Sequence, residues 1–273
     1  MSVPIRALAA ATITSAVCVL APTAADAKGK IVAESGKASR VEATKIARSI
    51  APEKIAPSAV FAARPPYGHV AAYSTKPLAG FPLSGSQYMM LGNGDVLSAD
   101  NPNDSQSTSQ NAGGPTIRGA RDVTIFRINL QVPKNTNCLS LRFRFLTEEF
   151  PEFVSSEFND AFIAELDDTT WNTNTIGSPQ ITAPNNFAFG EQGKLISVNG
   201  TGTTGVSAAQ AKGTTYDGAT RKLRASTRIT PGKHRLYLSI FDQGDRQYDS
   251  TVFIDKLTLV KRASCQSGVV GQN

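Results

Sequence analysis

The sequence predicts an all-β domain, a β-sandwich of jelly-roll-like build, behind a short N-terminal spacer that is partly helical or disordered. Three observations carry this. Beyond Tyr67 the chain breaks into short alternating runs separated by Gly, Asn, Asp and Pro, the rhythm of strands and turns. From Cys138 to Leu146, Leu139, Leu141, Phe143 and Phe145 point one way while Ser140, Arg142 and Arg144 point the other, as in a strand with one buried and one wet face. Ile229-Thr230-Pro231-Gly232-Lys233 sets Pro and Gly at the centre of a tight hairpin turn. A length of 273 residues, 40% hydrophobic and 18% charged, supplies a real core and excludes collagen, coiled-coil and polytopic membrane compositions.

Residues 1–27 have an early positive charge at Arg6, an apolar run from Ala7 to Leu20, a helix-breaking Pro22 and the small-residue pattern Ala25-Asp26-Ala27. That is the layout of a cleavable secretory signal, and the run falls short of the roughly 20 residues that span a bilayer. Its removal takes Cys18 away and leaves Cys138 and Cys265. Two cysteines in an oxidising compartment predict one disulfide.

Residues 28–66 form the expected spacer. Ser39-Arg40-Val41-Glu42 has the form of a capping box opening a helix to about Ile50, although Val41, Ile46 and Ile50 are sparse for an apolar face. Pro52, Pro57, Pro65 and Pro66 follow. The chain's net charge is +6; residues 28–64 hold eight basic and three acidic side chains, +5, and the remainder of the mature chain is near neutral. The basic balance therefore belongs to this segment, and no nucleic-acid surface is expected on the domain.

The domain proper is expected over residues 67–265, followed by a tail at 266–273. Its clearest strands are Asp122 to Val132, Cys138 to Leu146, Phe158 to Leu166, Lys194 to Val198, Lys222 to Ile229, Lys233 to Phe241 and Thr251 to Val260, with long loops at Ser98 to Gly114 and Thr169 to Pro184.

Acidic residues gather at the strand ends: Glu148, Glu149 and Glu152 after one strand, Glu157, Asn159 and Asp160 before the next, and Asp242, Asp245 and Asp249 around the last turn. Asp255 shares a strand face with Phe253, Leu257 and Leu259 and needs a partner there, whether Arg or Lys, backbone amides or a hard divalent cation. Calcium takes about six to eight oxygens, which such loops supply. Catalysis is poorly provisioned. His69 and His234 are the only histidines, and neither G-x-S-x-G nor H-E-x-x-H occurs. Glu148, Glu149, Glu152 or Glu157 could act as a glycosidase pair, but a single tryptophan, Trp171, offers little sugar platform. Gly200-Thr201-Gly202-Thr203-Thr204-Gly205 matches a dinucleotide fingerprint in letters only, because no βαβ unit surrounds it.

Three ordered motifs carry a resemblance. Phe145-Leu146-Thr147-Glu148-Glu149-Phe150-Pro151-Glu152-Phe153-Val154, continuing to Phe162, Tyr216-Asp217-Gly218-Ala219-Thr220, and Ile240-Phe241-Asp242-Gln243-Gly244-Asp245 through Asp255 are similar to segments of the bacterial choice-of-anchor L family. Thr147 stands where the family usually has Ser, and Ser155 where it has Gly. The resemblance spans roughly Leu83 to Val260. It implies a secreted or surface-displayed β-rich domain with no established catalysis, and the absence of a sorting motif after Val260 leads us to expect a released protein or one held by its basic N-terminal segment. It also concentrates the candidate metal ligands in the matched motifs: Glu148, Glu149, Asn159, Asp160, Asp242, Asp245, Asp249 and Asp255.

The expected function is thus a secreted or cell-surface, non-enzymatic sandwich with a binding, adhesive or structural role, stabilised by calcium and the disulfide. Its expected partner is an extracellular ligand, whether surface polymer, glycan or protein, with no nucleic acid and no transmembrane segment in the mature chain. The alternative is a carbohydrate-binding or carbohydrate-active module using the loop carboxylates.

Overall fold

The alternation in Cys138–Thr147 decides the layering, because one face of that strand must meet a second apolar surface. A computed structural model describes Met1 and residues 29–37, 39–104, 108–174, 180–201 and 205–271. In chain order the strands are β1 Ile31–Ala33, β2 Ser58–Ala63, β3 Ala71–Ser74, β4 Tyr88–Gly92, β5 Arg121–Val132, β6 Cys138–Thr147, β7 Ala161–Leu166, β8 Asn172–Asn174, β9 Gln180–Thr182, β10 Ile196–Ser197, β11 Val206–Ser207, β12 Gly218–Thr220, β13 Leu223–Arg228, β14 Gly232–Asp242, β15 Ser250–Val260 and β16 Gly268–Gly271. The one helix of more than a single turn among the described residues is α1, Arg40–Arg48.

A nine-stranded sheet runs β1-β3-β4-β15-β6-β12-β11, with β13 pairing β6 and β16; a five-stranded sheet runs β10-β7-β14-β5-β2. Among the described residues the strand pairings are all antiparallel. Leu139, Leu141, Phe143 and Phe145 of β6 and Val252 and Ile254 of β15 face Phe126, Ile128 and Leu130 of β5 and Leu236, Leu238 and Ile240 of β14 across one core. Each such side chain contributes roughly 1.5–3 kcal/mol by leaving water, so the sandwich and its register are fixed together. The expected fold class is the observed one.

The outer face of β6 is not wet throughout. Arg144 is buried, and its guanidinium donates to the carbonyls of Ala79 and Gln210. A second apolar cluster, including Leu78, Phe81, Tyr88, Tyr216 and Phe253, covers this end of the sheet. A third cluster packs Trp171 on the outer face of the five-stranded sheet. Its ring stacks on Phe241 at 4.2 Å and its indole N–H donates to Ser239 Oγ at 3.0 Å.

The segment expected as a spacer is folded into the sandwich. β1 pairs with β3 and β2 with β5, one in each sheet, and α1 contributes Ala43, Ile46 and Ala47 to the core, with Ile50 just beyond its end. The helix and its cap are as expected, with Ser39 Oγ accepting the Glu42 N–H at 3.1 Å. The apolar face was under-read because alanines complete it. Arg64 and Glu34 form a buried ion pair at 3.2 Å, so two of the segment's charges hold the fold rather than face solvent.

Smaller departures are local. β7 starts at Ala161, not Phe158, although the Asn159 N–H still bonds the Gln243 carbonyl in line with the β14 ladder. The run from Lys194 shrinks to β10 before a helical turn at Val198, and the loop from Thr169 contains the β8–β9 hairpin. The expected signal, apart from Met1, and Cys18 lie outside the described residues, as do residues 202–204 of the glycine-rich loop. The disulfide Cys138–Cys265 is present. Among the described residues no helix is long and apolar enough to cross a membrane.

Candidate functional site

Strand ends from both sheets meet at one end of the sandwich. Glu148 and Glu149 follow β6, Asp160 immediately precedes β7, Asp242 closes β14, Asp249 precedes β15, and Asn93 follows β4. A carboxylate is costly among apolar side chains, and these acids sit where the ladders end and backbone amides become free to bond them.

Asp160 is wholly buried. Its Oδ2 accepts from Asn93 Nδ2 at 2.7 Å, while Oδ1 has no hydrogen-bond partner. Glu149 Oε2 accepts the Asp160 backbone N–H at 3.0 Å, and Asp242 Oδ1 accepts that of Asp245 at 3.3 Å. Asn93 is held in turn by its Oδ1, which accepts the Ser250 N–H at 2.7 Å. Gln243, 1% exposed, has no partner for either side-chain amide atom.

Burial holds the carboxyls of Glu149, Asp160 and Asp242 well above the usual carboxylate range. Mutual repulsion adds to it: Asp242 and Asp245 act on Glu149, Glu149 on Asp160, and Asp160 and Asp245 on Asp242. Among the described residues, no Lys, Arg or His pairs with any of these three. Arg121, opposite Asp242 on β5, gives its guanidinium to the Gly244 carbonyl, and Arg246 pairs with Asp122.

The eight expected ligands do not form one set. Glu149, Asp160, Asp242 and Asp245 act on one another. Glu148 and Asp249 turn to the Thr108–Gln110 segment: Thr108 Oγ1 donates to Glu148 at 2.9 Å and Gln110 N–H to Asp249 at 3.0 Å. Gly94 lies so close to Asp249 that a Cβ would overlap its carboxylate. Asn159 Oδ1 accepts the Asn199 N–H at 2.9 Å. Asp255 stands apart, accepting the N–H groups of Leu83 and Ser84 at 2.6 and 2.8 Å. Of the partners left open for it, backbone amides are the ones found. It does not share a face with Leu257, because a bulge at Lys256, φ +56°, shifts the register between Asp255 and Thr258.

Among the described residues, no three His, Cys, Asp or Glu side chains already stand in a metal-ligating arrangement. The chemistry of the first group nevertheless fits a hard cation: oxygen donors only, buried, with an unused carboxylate oxygen and an unused amide beside uncompensated charge. Asn93, Thr108, Gln110 and Gln243 were missed as site residues, and only Asn93, between Gly92 and Gly94, carried a turn signal.

Both histidines are bound to aspartates, His69 to Asp95 at 3.3 Å and His234 to Asp167 at 2.8 Å. Thr230 Oγ1 lies 3.3 Å from His234 Nε2, which outlines a hydroxyl–imidazole–carboxylate chain. It lacks the rest of a hydrolytic site: the next residue, Pro231, has no N–H to offer a developing oxyanion. Glu152 and Glu157, half of the glycosidase candidates, are exposed in the loop between β6 and β7.

The family described as Choice-of-anchor L domain matches residues 66–259, well over half of the chain. No curated protein matches the sequence. A solved structure of TmCBM61 in complex with β-1,4-galactotriose aligns with 71% of this chain and 83% of its own at 8% identity and a TM-score of 0.29, too low a likeness to bear on fold or ligand.

Proposed function

This chain belongs to the choice-of-anchor L domain family, and from that premise we propose that it binds or adheres to extracellular material through the surface of a sandwich stiffened by calcium. The family places the protein as a secreted or cell-surface-associated bacterial domain that is not an enzyme. The calcium part rests on one observation: Asp160 is wholly buried with Oδ1 unpartnered, beside Glu149 and Asp242, in a group with no cationic side chain. Glu149, Asp160, Asp242 and Asp245 would hold the ion, which supplies charge compensation and a link between strand ends of opposite sheets. Asn93 holds Asp160 in place, its Nδ2 donating to Oδ2 at 2.7 Å while its own Oδ1 accepts the Ser250 N–H.

Two measurements test the reading. The mature protein should melt higher in calcium than in chelator, and an unchanged melting curve removes the metal from the proposal. It should also co-sediment with bacterial envelope preparations without altering them; failure to sediment removes the binding role.

A further inference from the structure

We propose that the open half of the outer face of the five-stranded sheet, around Arg127, Lys233 and Arg235, binds a carboxylate-bearing polysaccharide strand. This rests on the extracellular binding role above and names its ligand class.

The register builds the surface. The core takes Phe126, Ile128 and Leu130 of β5 and Leu236, Leu238 and Ile240 of β14, so the intervening residues face outward. Toward one end these are Ile125 and Phe241, covered by Trp171. Toward the other they are cross-strand neighbours Tyr237 with Arg127, Arg235 with Asn129, and Lys233 with Gln131. A groove of about 470 Å³ opens there.

Among the described residues, none of these three cations has a carboxylate within ion-pair distance. The one carboxylate lining the groove, Asp167, is engaged by His234 Nδ1 at 2.8 Å and the Arg235 backbone N–H at 3.0 Å. Uncompensated like charges side by side on a sheet are unfavourable until an anion joins them.

The surroundings select the anion. Guanidinium forks bind carboxylates in two-point fashion, and Lys233 and Arg235, two residues apart, are spaced by roughly 6.8 Å. That suits regularly repeated acidic groups better than one small ion. Gln131 and Asn129, the latter donating to Ser58 Oγ at 2.8 Å, offer amide groups to sugar hydroxyls. Tyr237, the aromatic residue of the open half, is only 9% exposed, so nucleobases and neutral sugar rings lack a stacking platform.

The test is affinity electrophoresis of the full mature chain in gels containing polygalacturonate, neutral galactan or polyphosphate. Polygalacturonate should retard the protein, Lys233→Ala/Arg235→Ala should weaken retardation at least tenfold, and Lys212→Ala/Lys261→Ala, exposed elsewhere, should not. Equal weakening by both pairs, equal binding of polyphosphate or of neutral galactan, or no retardation by polygalacturonate overturns the inference. If envelopes are bound but polygalacturonate is not, the ligand class is wrong and the general role stands; if neither is bound, both fall.

Discussion

Glu149 Oε2 accepts the backbone N–H of Asp160 at 3.0 Å, tying a carboxylate that follows β6 to one that precedes β7 in the opposite sheet. Both are buried; the Glu149 carboxylate raises the cost of ionising Asp160, while the Asp160 N–H eases that of Glu149. Asp160→Asn keeps an oxygen for Asn93 Nδ2 and removes one charge. In chelator near neutral pH the variant should be more stable than the natural chain, because it no longer carries a buried carboxyl that burial and Glu149 hold above its ordinary range. It should also lose the calcium response, so the melting curves cross. Destabilisation in chelator would mean that the carboxylate is already compensated.

Asp255 gives a pH dependence separate from that group. Burial raises its pKa, and the amides of Ser84 and Leu83 pull it partly back. The folded state therefore holds the Asp255 proton more tightly than the unfolded chain. Its stabilisation is full below the ordinary carboxylate pKa and is lost as pH rises through the raised value. Asp255→Asn does not titrate. The melting temperature of the natural chain minus that of the variant should fall from roughly pH 4, the unperturbed carboxylate range, toward neutrality. A difference that grows with pH would show that the amides outweigh burial.

What was legible in the sequence followed from period and punctuation. Strict alternation in β6 and the Pro231-Gly232 turn placed two central strands and the core face of the first correctly. Arg144 could not be placed by the same rule, because its face is covered by residues distant in sequence, Ala79 and Gln210. The bulge at Lys256 turned Leu257 away from Asp255, and no residue type announces a left-handed lysine. Acid clustering at strand ends pointed to the right end of the sandwich. Which acids converge depends on sheet pairing, and that separates Glu149 from its neighbour Glu148.

The disulfide joins the first residue of β6 to the segment that leads into β16, across 127 positions. Among the described residues β16 pairs with β13 alone. Replacing both cysteines by serine should cost on the order of 4–5 kcal/mol in the chain-entropy picture for so long a loop. The loss should be visible first as faster amide exchange at Val269 and Val270, in a strand held by β13 and by the Val269 N–H bond to the Phe189 carbonyl at 2.9 Å. Unchanged exchange there, with a global stability change under about 1 kcal/mol, would reduce the bridge to a bystander.

The N-terminal segment supplies the sharpest contrast between a spacer and a structural element. Ile46 is 2% exposed in the core and Val41, on the same helix, is 80% exposed. The helix is also tied down at its end, where the Ile50 carbonyl accepts the Leu257 N–H at 3.0 Å, just after the Lys256 bulge. Ile46→Ala leaves a cavity between α1 and both sheets and should cost about 2–5 kcal/mol in urea unfolding. Val41→Ala should stay within about 0.5 kcal/mol, as an exposed change with no packing partner. By the same reasoning, deleting residues 29–64 should unfold the domain, since it strips β1 from one sheet and β2 from the other. A detachable basic arm would instead leave both point variants, and the truncated chain, as stable as the parent.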